Sequence, residues 1–282
     1  MDKKVCLKSI MQLFILFTEK GWVKNEFYRD VLERFGNLME SLTYEQTELI
    51  LELTERYTWL SYGEYSSILR KLFIELHKRK LNNITRIYIF PIKNVKHETQ
   101  VKSGDVIQYV AKGVTSLLNE YSDIEIIHLT KFEELEDDNL KIEDNCYVIL
   151  LDDYIGTGKT LNSTLEKVFK NESINNNNLS ILSTIINKDT VLELRQKEID
   201  VLYGIETIKG ISQFYNDEIV NHKVEIMKGI EDKIPGVKGF RFGFEKSEGL
   251  VTLLRTPNNT FPVFWKETKH RKKSIKAPFP RY

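Results

Sequence analysis

Apolar positions follow two rhythms along this chain, and the change between them falls near residue 83. Before it, hydrophobic residues recur at steps of three and four, as in Ile10, Leu13, Phe14 and Phe17, and again in Ile68, Leu69, Leu72, Phe73 and Leu76. That period is one face of an amphipathic helix, so residues 1–82 read as a helical N-terminal region. After Asn82 and Asn83, short apolar runs alternate with longer helical stretches: RIYIFPI at 86–92, IEIIHL at 124–129, CYVILL at 146–151, LSILSTII at 179–186 and DVLYGIE at 200–206. Near-continuous Val, Ile and Leu mark strands covered on both faces. Their alternation with helices predicts an α/β core with a parallel sheet over residues 83–210. CYVILL is the expected central strand, with Cys146 as buried filler rather than a nucleophile.

Two polar stretches, TKFEELEDDNLKIEDN at 130–145 and NESINNNN at 171–178, read as surface loops. Toward the end, glycines, aromatics and a Pro-Asn-Asn turn predict a C-terminal cap of strands and loops on the sheet over 211–265. Residues 266–282 hold seven basic residues against one acid and read as an exposed tail. Such a tail is open to nucleic acid or an acidic protein partner through nonspecific phosphate or carboxylate contacts.

Composition narrows the field. The 282 residues are 41% hydrophobic and 29% charged, as in an ordinary globular protein, and 41 basic side chains balance 41 acidic ones, so bulk charge names no partner. The apolar run from Ile10 to Phe17 is too short to span a bilayer, and no cleavage pattern of a secretory signal follows it. Cys6 and Cys146 are far apart and outside any metal-ligand spacing, which argues against a disulfide framework or a zinc site and for a cytoplasmic setting.

The chemistry concentrates in VILLDDYIGTGKT, residues 148–160. A nucleotide-binding P-loop of the form G-x-x-x-x-G-K-[ST] needs a glycine five places before Gly158, and Asp153 stands there. Two acids at a strand end, Asp152 and Asp153, instead suit hydroxyl groups or hydrated Mg2+. The glycines that follow open a helix expected at 161–170, where unpaired backbone N–H groups and the helix dipole favour an anion, and Thr157 and Thr160 add hydroxyl donors. Lys159 is secondary in such a backbone cradle.

Hydrophobic strand, two acids, two hydrophobics and then T-G-x-T resembles the ribose phosphate motif of type I phosphoribosyltransferases, transferases that bind 5-phosphoribosyl-1-pyrophosphate (PRPP) with Mg2+. On that resemblance Asp152 and Asp153 take the ribose hydroxyls and serve the metal, while Gly156, Thr157, Gly158, Lys159 and Thr160 wrap the 5-phosphate. The family's pyrophosphate loop follows its first core strand, which here offers Lys93, Lys96, Lys102, Ser103 and Gly104. Ser103 also has a plain reading as a helix N-cap. The ending RTPNNTFPVFW together with the helical front end is similar to the PRTase-CE proteins of bacterial conflict and defence systems, which implies nucleotide-type ligands and an antiviral setting.

Two departures bear on activity. Gly156 stands where purine-salvage members often place an aspartate that acts as base, and the loop at 130–145 is acidic where a lid would face pyrophosphate. Beside transfer, a non-catalytic module that senses PRPP or a ribonucleoside phosphate within an assembly therefore stays open. Among the five histidines only His97, in the pyrophosphate loop, has a functional reading. The aromatics of FRFGF and FPVFW read as core rather than as a base-stacking site.

Overall fold

The computed structural model describes residues 3–94, 103–136, 139–267 and 276–281. Its five main strands are β2 (Arg86–Pro91), β3 (Glu125–His128), β4 (Cys146–Ile155), β5 (Leu179–Asn187) and β6 (Asp200–Thr207). They form one parallel sheet in the order β3-β2-β4-β5-β6. Every residue of β4 and β5 is buried, which is why both read as unbroken apolar runs. β4 runs on past CYVILL to Ile155 and so carries the two acids inside the strand.

Helices cover the sheet on both sides. Leu161, Leu165 and Val168 of α6 (Lys159–Val168) and Val191 and Leu194 of α7 (Lys188–Gln196) share a cluster with Tyr88, Phe90, Val148, Leu150 and Ile181. The alternate strand positions Ile87, Ile89, Ile149 and Leu151 are also buried, and α4 (Tyr62–Lys80) and α5 (Ser103–Thr115) pack against the strands and each other. At Gly204 of β6 a Cβ would lie 2.4 Å from the Ile68 side chain and 2.9 Å from the Thr184 carbonyl, so only glycine lets α4 approach this closely.

The chain divides into two compact units, Tyr62–Thr207 and Met1–Ser61 with Ile208–Tyr282. The periodicity change at Asn82 therefore misses the boundary by one helix. α4 has the same amphipathic pattern as the helices before it, yet it packs on β5 and β6 of the sheet, and its Phe73 carbonyl accepts a 2.7 Å bond from Tyr121 in the turn before β3.

The other unit holds α1 (Lys3–Glu19), α2 (Tyr28–Glu40), α3 (Tyr44–Glu55), α8 (Asp217–Glu231) and the short parallel pair β1 (Thr58–Trp59) and β7 (Val251–Thr252). Residues from 208 onward thus form a unit with the N-terminal helices, and they include a 15-residue helix, α8, where strands and loops are expected from the pattern. The core is aromatic: Phe17, Trp22, Phe35, Tyr57, Phe264 and Phe279 meet edge-on, tilted or stacked. Phe279 and Ala277 are buried, and Arg34 binds Glu267 at 2.6 Å and the Ala277 carbonyl at 2.7 Å, so both described ends of the basic segment are anchored. Residues 268–275 lie outside the described residues. Within α1, Leu13 and Phe17 are buried but Phe14 is half exposed, beside exposed Met11 and Ile15. No described helix is long and apolar enough to cross a membrane.

Both supposed surface loops are partly core. Phe132, Leu135, Leu140 and Ile142 are buried among the acids of 130–145, and buried Asn171 donates to the Leu135 and Leu140 carbonyls at 2.8 and 2.7 Å, fastening that loop from the other.

Candidate functional site

Ligand sites in open parallel sheets form beyond the carboxyl ends of the strands, and the motif residues lie there. Asp152 pairs in register with Ser183 of β5. Both acids are nearly closed off, at 9% and 7% exposure. The Asp153 N–H donates to Asp152 Oδ1 at 2.9 Å, and the Thr184 hydroxyl donates to the Asp153 carbonyl.

Burial, with the Asp153 charge next to it, pushes the Asp152 carboxyl well above the ordinary carboxylate range. Burial also raises Asp153, opposed by hydrogen bonds from Asp152 and from the Ser103 side chain. Two adjoining carboxyls out of water cannot both carry charge cheaply, so they titrate as a pair.

The chain then turns at residues 156–158 and enters α6, which starts at Lys159 rather than at 161. Gly158 has φ +72°, a left-handed conformation that L side chains rarely adopt, and a Cβ on it would stand 3.2 Å from Thr190 Cγ2. The Thr190 hydroxyl donates to the Gly156 carbonyl at 2.8 Å. α7 therefore clamps the turn. Thr157 is partly exposed, and Lys159 and Thr160 are exposed at the first turn of α6, where N–H groups lack intrahelical acceptors.

The end of β2 and the start of α5 reach the same place. Ser103 opens α5 and meets Asp153. At Gly104 a Cβ would sit 3.1 Å from Pro91 Cβ and 3.2 Å from the Ile92 carbonyl, a close approach that keeps the helix start against the strand end. Lys93 is 4% exposed, its ammonium donating to the Thr130 carbonyl and lying 5.3 Å from the Phe90 ring centre. Its own carbonyl accepts from Thr164 of α6 at 3.1 Å. Lys93 thus ties three segments together rather than standing open to a ligand. Lys96, His97 and Lys102 lie outside the described residues.

Thr164, Thr184 and Thr190 hold the site and have no motif signature. The signal for Thr184 is the polar pair Ser183-Thr184 inside LSILSTII: hydroxyls in a strand buried on both faces must find partners, and the neighbouring strand end is the place to look.

Among the described residues no group of three or more His, Cys, Asp or Glu is placed to hold a metal. Two carboxylates alone match Mg2+, which characteristically takes one or two protein carboxylates and completes its shell with water and substrate phosphates.

The PRTase-CE family model matches residues 20–281. No curated protein matches the chain. Among solved structures, the AQ2163 protein from Aquifex aeolicus aligns at 16% identity over 55% of this chain and 76% of its own, with TM-score 0.35. The APRTase from Giardia lamblia, complexed with 9-deazaadenine, aligns at 16% identity over 52% of this chain and 81% of its own, with TM-score 0.33.

Proposed function

The chain belongs to the PRTase-CE family, and from that premise we propose that the β4–α6 turn binds PRPP or a ribonucleoside phosphate together with Mg2+. The observation that carries this reading is the buried carboxyl pair Asp152–Asp153 placed three residues before a left-handed turn that opens a helix. The acids take ribose hydroxyls and share the cation, and residues 156–160 enclose the 5-phosphate with backbone N–H groups and the threonine hydroxyls. Ser103 and Gly104, at the start of α5, are assigned to the pyrophosphate side, where the sequence also offers Lys96 and Lys102 outside the described residues.

Bound Mg2+ supplies charge neutralisation at the leaving pyrophosphate. The chain's own part is positioning: Thr190 fixes the turn, Thr184 fixes the Asp153 backbone, and Lys93 locks the end of β2. In transfer, the acceptor's bond to the anomeric carbon forms as pyrophosphate leaves with its electron pair. No side chain in the motif stands as a general base, since Gly156 occupies the place of one.

A second reading, a non-catalytic PRPP sensor inside a bacterial defence assembly, is favoured by Lys93. Its ammonium is engaged with Thr130, which removes one cation from the pyrophosphate side. Calorimetric titration with PRPP, ATP and nucleoside monophosphates, each with and without Mg2+, tests the common premise. Pyrophosphate release across a panel of free bases then separates the two readings. Absence of binding by PRPP and by every nucleoside phosphate with Mg2+ sinks both, and rapid Asp152-dependent turnover with an ordinary base excludes the sensor.

A further inference from the structure

α1 buries one side and leaves the other open. Ser9, Leu13 and Phe17 are buried, and on the opposite side of the helix Lys8, Met11, Ile15 and Glu19 follow one another at steps of three and four residues. Met11 and Ile15 are 60% and 54% exposed, in the middle of a stripe with a cation at one end and an anion at the other. Among the described residues neither Lys8 nor Glu19 is in an ion pair.

The order of these charges opposes the helix dipole, which favours anions at the N-terminal end and cations at the C-terminal end. α1 has no acid in its first turn and no base in its last. Beside the stripe runs a groove of about 240 Å³ between α1 and α3, lined by Ile15 and Leu51 and by Glu19, Glu48, Glu52 and Glu55, with no lysine or arginine among its lining residues. Lys223 pairs with Glu52 at 2.7 Å, and Lys20 lies near Glu55. Glu19 and Glu48 are left as the acids of this groove that await a cation.

From the open stripe and its two charged ends we infer that α1 is the contact of a two-fold dimer of this chain, with the α1 helices of two copies lying antiparallel. Reversing the helix against its copy brings Met11 of each over Ile15 of the other and Lys8 beside the partner's Glu19, at both ends of the contact. Each dipole end then meets the charge it lacks in its own helix. A wholly basic or wholly acidic helix from another protein would satisfy one end and repel the other, whereas a second copy satisfies both. A single helix pair lies at the small end of specific interfaces, so the dimer is reversible rather than obligate. None of these residues belongs to the β4–α6 site, so dimerisation and PRPP binding stand or fall separately.

Sedimentation equilibrium of the full chain at low salt, across the micromolar range, is the test. The parent should show a reversible monomer–dimer equilibrium, and Ile15→Glu should leave it monomeric. Lys8→Glu and Glu19→Lys should each weaken self-association about tenfold or more, because the two-fold symmetry turns two attractive pairs into two repulsive ones at once. In an equimolar mixture of these two charge variants each copy meets the opposite charge of the other, so dimerisation should return to the parental level. That return also shows that both variants are folded. A parent that stays monomeric throughout, self-association indifferent to both charge reversals, or a mixture that associates no better than either variant alone would each overturn the inference.

Discussion

Asp152, Asp153 and Gly158 together separate a ligand role from a structural one. A buried carboxyl held above its ordinary range opposes folding near neutral pH, because ionising it in place costs more than ionising it in the unfolded chain. Asp152→Asn should therefore raise the melting temperature of the ligand-free protein while weakening PRPP binding about 10-fold or more, the loss of a charged hydrogen-bond partner being worth roughly 1.5–3 kcal/mol. Thermal unfolding and calorimetry on the same sample check it, and a variant that is destabilised with unchanged affinity contradicts the site. Gly158→Val should be far more damaging than Lys159→Ala. It places a β-branched residue at φ +72° within 3.2 Å of Thr190, a strain of about 1–3 kcal/mol, whereas Lys159 is exposed and contributes no backbone approach. A binding assay that ranks them the other way restores the P-loop reading.

Elements differ in how much of themselves the sequence displays, and the reason is burial. β2, β4 and β5 were legible because both faces are covered, so they read as apolar runs despite Ser180, Ser183 and Thr184 within β5, whereas the edge strands β3 and β6 are partly exposed and were legible from their Val, Ile and Leu content. The motif was legible for the opposite reason: two acids interrupting such a strand have no core explanation. α8 was hidden because only Met227, Ile230 and Glu231 of its residues are buried, too few for a visible period, although Asn216 accepting from Ile219 N at 3.2 Å is an ordinary N-cap signature. The anchored end at Ala277 and Phe279 was hidden behind a basic run, and the buried apolars of 130–145 behind acids. What no local pattern displays is the clamp between elements. Thr190→Val keeps the volume of the side chain and removes its 2.8 Å bond to the Gly156 carbonyl. It should lower stability by about 0.5–1.5 kcal/mol in urea titration. PRPP affinity should fall as well, and unchanged affinity would show that the turn holds its shape without α7.

For the molecule as a whole, equal numbers of basic and acidic side chains leave the dependence of stability on pH to a few buried groups rather than to net charge. Glu231 is the sharpest of them. It is fully buried at the end of α8 and accepts the Phe242 N–H with both oxygens, at 3.0 and 3.2 Å. Burial pushes its carboxyl from 4.5 up to about 7, with the Asp232 and Glu248 charges adding to the rise and the Phe242 bond and Arg241 opposing it. Asp152 and Asp153 are raised in the same direction. A raised folded-state value means that the folded protein holds protons the unfolded chain has released. The stability contribution is therefore complete below about pH 4.5 and is lost as pH climbs through about 7. For Glu231 alone that loss approaches about 3 kcal/mol, at 1.36 kcal/mol for each pH unit of displacement. Glu231→Gln keeps the acceptor oxygen for Phe242 without a titrating proton, so the variant should match the parent near pH 5 and exceed it near pH 8. Urea unfolding at those two values decides the matter: a Gln variant whose stability tracks the parent at both would remove Glu231 as the source, and a parent that gains stability with rising pH would reverse the sign assigned to all three carboxyls.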